Sequence, residues 1–340
     1  MARKRLGRQT VKLQHPPSII STATTVGPKE GEGPLSHYFD VVLTDDLCGE
    51  NSWELSESKM LRETIKSAIQ KADKNIVEIE YLLSGDLLNQ LMAASFAARD
   101  LDIPFLGLYG ACSTMTESLS IGAMLIDGGY ANYVAAATSS HFSSAERQFR
   151  FPLELGNQRS LTAQWTVTGA GAAILAANGS GPYISHVTTG KVIDLGIKDV
   201  NNMGAAMAPA AADTITAHFE DTGFKPEDYD LIVTGDLGAI GKEIAEEIVL
   251  DKGYNITKVF NDCGLLIFDN KTQDTHAGGS GCGCSASVFC SYIFKEMINK
   301  KLNKVLLIST GALLSSTSAL QGQSIPSIAH AVTITNILKH

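Results

Sequence analysis

Two stretches of the chain, offset by about 150 residues, pass through the same series of residue types. One reads "YLLSGDLLNQLMAASFAARDLDIPFLGLYGACSTM" and the other "LIVTGDLGAIGKEIAEEIVLDKGYNITKVFNDCGLL". Each opens on a short apolar run, Tyr81 to Leu83 or Leu231 to Val233, that reads as a strand. A small hydroxyl residue and Gly-Asp-Leu follow: Ser84-Gly85-Asp86-Leu87 and Thr234-Gly235-Asp236-Leu237. Next come a helix-period pattern and a second strand-like run, Phe105 to Leu108 or Lys258 to Phe260. Each stretch then reaches a cysteine, Cys112 or Cys263. A two-fold recurrence this long indicates duplication of a strand–helix–strand unit, since solenoid repeats have shorter periods.

The flanks extend the scheme. Ser58 to Ala72 and Met207 to Gly223 read as helices before each unit, and Asn132 to Ser140 and Asn303 to Ser315 as strands after it. Between the halves, Asn178 to Gly181 reads as a hairpin turn joining two strand-like runs. Strands alternating with helices predict an α/β fold of mostly parallel sheets covered on both faces. Two such βαβαβ halves give an α/β/α/β/α layered body. The expected divisions are a basic tail over 1–16, a first half over 17–180 and a second half over 181–340. The second half carries a glycine-rich loop at 277–287. Ligand-facing loops belong at the carboxyl ends of the strands.

Composition narrows the function. The 340 residues are 44% hydrophobic and 19% charged, enough for a sizeable core. The formal net charge of -9 disfavours nucleic acid as a partner. Arg3, Lys4, Arg5, Arg8 and Lys12 cluster at the start, as a solvated tail or as a contact for an anionic lipid surface. No window approaches the roughly 18 apolar residues of a spanning helix, and the start lacks the apolar core of a signal peptide. The expected location is the cytosol or the cytosolic face of a membrane. The six cysteines are then thiols, and Cys282-Gly283-Cys284 lacks the spacing of a zinc site.

The ordered motifs carry a family resemblance. "GPKEGEGPL", "SGDLLNQ", "YGACS", "IDGGYA", "AATSSH", "AERQFRFP", "VIDLGIKD", "MAPAAADTI", "YDLIVTGDL", "NDCGL", "AGGSGCGCSA", "TGALLS" and "SIPSIAHAV" span about Pro17 to Val332. Together they resemble the stage V sporulation protein AD family, a branch of the thiolase-like superfamily of condensing enzymes. The resemblance implies binding of dipicolinic acid, pyridine-2,6-dicarboxylate, with calcium entering only alongside that ligand. It also implies a role in moving the ligand into the developing spore and out at germination. The implied setting is peripheral, on the cytoplasmic side of the spore inner membrane, with other stage V sporulation A membrane proteins as partners. A homodimer through the Asn132–Ser140 strand is expected.

Cys112 lies where a strand gives way to a helix. There the helix dipole and free amides favour a thiolate or an anion. Nucleophile, pocket wall and small core residue all remain open readings. A condensing enzyme also needs donors for its oxyanion or enolate, and the superfamily resemblance implies that two polar groups of the second half, His with His or His with Asn, supply them. The repeat puts one of these just past Thr234, where Asp236 stands instead, and a carboxylate there repels an enolate. Asp after Gly at a strand end also ordinarily caps the next helix. His276, three residues before Gly279, matches the ketoacyl synthase spacing or is a polar loop residue. The expected ligand set is Cys112, Ser113, His141, Asp236, Gly279, Ser280, Gly281 and Cys282, with close amide approach allowed by glycine. Arg147 and Arg150 are candidate carboxylate contacts or surface residues. The alternative is a thiolase- or 3-ketoacyl-synthase-like acyltransferase with Cys112 as nucleophile and His141 as its partner.

Overall fold

The computed structural model describes residues 4–149 and 159–338. Ten strands form the path of one sheet. The first five are β1 (Ser18–Val26), β2 (Tyr81–Gly85), β3 (Phe105–Gly107), β4 (Tyr133–Ser140) and β5 (Gly169–Ala176). The second five are β6 (Tyr183–Thr188), β7 (Leu231–Thr234), β8 (Phe260–Asp262), β9 (Lys304–Ala312) and β10 (Ser327–Thr335). Their order is β8-β7-β9-β10-β6-β1-β5-β4-β2-β3. Read outward from the middle, each half runs in the same order, so the duplication seen in the residues is a duplication of topology.

The sheet is mixed, which corrects the expectation of mostly parallel strands. β2 pairs parallel with β3 and β4, and β7 with β8 and β9. The last strand of each half returns antiparallel, β5 against β4 and β1, β10 against β9 and β6. The expected hairpin between the halves does not form either. β5 and β6 lie on opposite sides of β1, and the halves meet where Ser18 pairs with Tyr183. The turn folds over the start of β1 instead, with the Gly181 amide donating to Ser18 Oγ at 3.0 Å.

Strand alternation sorts side chains into layers. Leu82, Ala135, Leu306 and Ile308 point outward, while Leu83, Ala136, Val305 and Leu307 point to the middle. Helices α1 (Trp53–Lys71) and α2 (Met92–Leu101) cover the first half's outer face with Met60, Leu61, Ile65, Ala97 and Leu101. Between the sheet faces lies α3 (Thr114–Asp127) with Met115, Leu119 and Ala123. A short α4 (Phe142–Phe149) follows β4. Helices α5 (Met203–Thr222) and α6 (Gly238–Asp251) cover the second half's outer face through Met207, Ile215, Phe219 and Val249. After β8 comes a one-turn helix, α7 (Cys263–Ile267). The second central helix starts as α8 (Cys282–Val288) and runs on through a π-helical turn to Ile298. The result is the α/β/α/β/α stack.

The N-terminal segment is docked rather than solvated. Thr10–Lys12 pairs with β6. Lys4 binds the Asp127 carboxylate at 2.7 Å, and Asp221 receives the amides of Arg8, Gln9 and Thr10 at 2.7–2.9 Å. Arg3 lies outside the described residues.

Candidate functional site

The turn after β3 sets the geometry. Ala111 sits at φ 49°, a left-handed conformation that strains a residue with a side chain. Its neighbours hold it there. Thr114 Oγ1 donates to the Ala111 carbonyl at 2.6 Å. Gly311 of β9 lies so close that a Cβ would come within 2.1 Å of the Gly110 carbonyl oxygen. Cys112 follows in the turn Ala111–Ser113, just ahead of α3, and is 8% exposed.

Cys112 opens on a cavity of about 50 Å³. That is room for a few waters, against the roughly 300–1,000 Å³ of established small-molecule pockets. Leu87, Tyr109 and Ala111 line it from the first half, with Ala145 and Phe149 of α4. Thr166, Met203 and Met207 of α5, Ser280, Ala312 and Leu314 complete the wall. The lining is apolar apart from the Tyr109, Thr166 and Ser280 hydroxyls and the thiol.

Behind Cys112 and Ser280 lies Asp236, 0% exposed. Thr310 Oγ1 donates to its Oδ1 at 2.6 Å, and the Gly281 amide and Ser280 Oγ donate to its Oδ2 at 2.9 and 3.3 Å. The Cys112 thiol lies against the same carboxylate. Burial pushes the Asp236 carboxyl up to about 6, opposed by these donors. Burial first, and then the neighbouring Asp236 charge, push the Cys112 thiol well above its ordinary value. The pair is therefore a thiol held beside a carboxylate. The carboxylate's charge opposes ionisation of the sulfur and would repel an enolate formed beside it.

Asp86 does take the local role expected of it, accepting the Leu88 and Ala94 amides at 2.7 Å each. In the second half that duty falls to Asp262, which accepts the amides of Leu237, Gly238 and Gly264 at 2.8–3.0 Å and the Thr234 hydroxyl at 2.7 Å. Asp236 is left to hold Thr310, Ser280 and Gly281 behind the cavity wall. The sequence reading passed over Asp262, although an Asp at a strand end two residues before a glycine is a cap signal.

The other expected residues divide. Ser280 lines the cavity. Gly281 acts through its amide at φ 96°, and any Cβ would meet Ser140 Oγ at 2.7 Å. Gly279 sits behind the wall, its carbonyl accepting from Gln164 Nε2 at 2.9 Å. Cys282 packs under Cys112 and donates its thiol to the Ser139 carbonyl at 2.9 Å. Ser113 is fully buried beside Gly110 and Glu117, off the cavity.

His141 is not brought to the cavity, which corrects its place in the ligand set and as a partner for Cys112. Its Nδ1 accepts the Ser143 amide at 3.2 Å and its Nε2 donates to the Asp46 carbonyl at 2.8 Å, so both ring nitrogens are engaged. Burial lowers its pKa and keeps it neutral. His276 binds the Ser160 carbonyl at 2.6 Å and Asp274 at 2.9 Å, as a loop residue. Arg147 pairs with Glu54 at the surface, and Arg150 lies outside the described residues. Sequence reasoning missed Thr310, Tyr109, Thr166, Met203 and Met207. Of these, only the i, i+4 spacing of the two methionines was visible as a pattern. Among the described residues no group of three or more His, Cys, Asp or Glu is placed to hold a metal ion, and no helix is long and apolar enough to cross a membrane.

This chain is similar to known proteins at two levels, fold and sequence. Human mitochondrial 3-ketoacyl-CoA thiolase, in a structure with CoA, superposes with a TM-score of 0.61 at 13% identity, over 96% of this chain and 99% of its own. The 3-oxoacyl-[acyl-carrier-protein] synthase III of Aquifex aeolicus VF5 gives 0.58 at 12% identity, over 94% and 99%. Both show the fold, which is thiolase-like. At the sequence level, stage V sporulation protein AD of Bacillus subtilis (strain 168) is 47% identical over 329 residues, 97% of each chain. Residues 7–335 match the family Stage V sporulation protein AD (SpoVAD). With nearly its whole length matched, this chain belongs to the stage V sporulation protein AD family.

Proposed function

We propose that the chain binds dipicolinic acid in the Cys112 cavity and supports its uptake into the developing spore and its release in germination, without catalysis. Asp236 beside Cys112 carries this reading. A thiolase-like cavity whose sulfur is held as a thiol by a carboxylate is suited to hold a ligand and unsuited to form an acyl-enzyme. The flexible side chains of Met203, Met207 and Leu314 are the part of the wall that must yield to a planar ring. Calcium enters only as the ligand's counter-ion. The working location is peripheral, on the cytoplasmic side of the spore inner membrane, against other stage V sporulation A membrane proteins.

The protein works as a homodimer, but not through the strand expected from the sequence. β4 lies inside the array, paired on both sides by β2 and β5. The strand path ends at β8, which is largely buried, and at β3, where Leu106 is 43% and nearby Tyr109 45% exposed. An apolar edge strand is a ready pairing surface.

Isothermal titration of the purified protein with dipicolinate, with and without calcium, tests the binding. Saturable heat at a 1:1 ratio is expected, and its absence at millimolar ligand sinks the reading. In parallel, acyl-CoA thioesters should leave the intact mass unchanged. A stable adduct that vanishes in Cys112→Ala would restore the acyltransferase.

A further inference from the structure

The charge of the cavity does not match that of a dicarboxylate. No Lys, Arg or His is among its described lining residues. The groups that face Asp236 are Cys112 from the turn before α3, Ser280 and Gly281 from the glycine-rich loop, and Thr310 from β9. Behind it stand Asp262 and Cys263 at the end of β8, and Cys282 and Cys284 on α8. All of these are neutral or acidic. A ligand carboxylate seated against Cys112 and Ser280 has a buried carboxylate directly behind it. Two carboxylates this near, out of water, do not both stay ionised.

The hydrogen bonds show how the conflict resolves. Ser280 Oγ lines the cavity yet now donates inward to Asp236, and the Cys112 thiol, also on the cavity wall, lies against the same carboxylate. The Ser280 bond is long at 3.3 Å, and Thr310 and Gly281 hold the carboxyl without it. Resting on the dipicolinate reading, we propose that ligand binding loads one proton onto Asp236, freeing the Ser280 hydroxyl and the Cys112 thiol to turn and hold the ligand carboxylate. The proton comes from solvent, one per ligand, and leaves with it. Release is thus favoured at higher pH and uptake at lower pH. With Asp236 raised to about 6, the free protein is mostly ionised there at pH 7.5 and mostly protonated at pH 5.

The test is titration of metal-stripped full-length protein with dipicolinate in two buffers of different ionisation enthalpy. At pH 7.5 the heats should differ by the uptake of about one proton per ligand, and at pH 5 by little. Affinity should fall about tenfold from pH 7 to pH 8, the slope of one linked proton. Ser280→Ala should bind about tenfold more weakly with the proton uptake intact, and Asp236→Asn should bind without it. Saturable wild-type binding with equal heats in both buffers at pH 7.5 overturns the proton coupling and leaves the binding reading standing. Proton uptake that persists in Asp236→Asn overturns the assignment to that carboxyl. Absence of any binding in the wild type overturns both.

Discussion

Asp86 receives two main-chain amides and stays in its own loop, while Asp236, its mate in the repeat, turns toward Cys112 and Ser280 behind the cavity wall. The difference lies in their neighbours. Asp262 ties down the loop after β7, so Asp236 is not needed there. The pairing makes a chemical prediction for the sulfur. Five of the six cysteines are buried and Cys48 is half-buried. Iodoacetamide at pH 7.5 should label Cys48 first. Cys112 should react at least tenfold more slowly than in the urea-unfolded chain, because the thiolate is the reactive form. Asp236→Asn should speed labelling of Cys112 by removing the charge that opposes its ionisation. Peptide mapping reads this, and native Cys112 labelling at the unfolded rate would falsify the thiol assignment. The opposition between Asp236 and Cys112 was legible from the repeat alone. The roles of Thr310 and Gly281 were not, because they reach Asp236 from strands and loops distant in sequence.

At the scale of elements, the repeat and its flanks located β2, β3 and β4 and their mates β7, β8 and β9, the helices before each unit and the two cysteines, but not β1 or β10. It paired Cys112 with Cys263, and there the halves diverge. Cys112 leads directly into the long central helix α3, whereas Cys263 begins only the five-residue α7. The second half's central helix starts later, at Cys282, and the intervening stretch carries the glycine-rich loop back to the site. The dimer strand was misassigned for a related reason. Apolar content marks a buried strand and a pairing edge alike, and only the strand order separates them. Leu106→Lys on β3 should therefore shift a wild-type dimer to monomer, by light scattering coupled to size exclusion at tens of micromolar. A wild-type monomer at that concentration removes the edge-strand dimer.

Across the whole molecule, buried titratable groups set a pH dependence of opposing signs. Burial raises Glu30 to about 8, Asp262 to about 7, and Asp86 and Asp236 to about 6. The native state keeps protons that the unfolded chain releases near pH 4, so stability falls as pH rises from there through those values. Burial lowers His186 and His330 to about 4 and His218 to about 3. The unfolded chain takes up those protons below about 6.5, so this stability is lost as pH falls from there. The two trends oppose each other between about pH 4 and 6.5. Above that range Asp262 and Glu30 remain, joined by buried Glu57, whose carboxyl burial pushes well above its ordinary value. The thermal midpoint should therefore drop between pH 6.5 and 8.5. Glu30→Gln should recover on the order of 1 kcal/mol of that loss. Melts followed by circular dichroism check it, and a variant with the wild-type pH slope removes Glu30 from the account.

The sequence by itself determined the duplication, the layered α/β class, the strand-to-helix position of Cys112 and the placing of an acid where a base was expected. These are local patterns, and hydrophobic period, turn residues and motif order encode them directly. Tertiary structure decided which strand is an edge, that the linking turn is not a hairpin, that His141 is spent on backbone groups, and which side chains wall the cavity. Each of those depends on groups far apart in the chain meeting across β1 or between the two halves. Only the close packing of the sheet's two halves around α3 and α8 fixes where they meet.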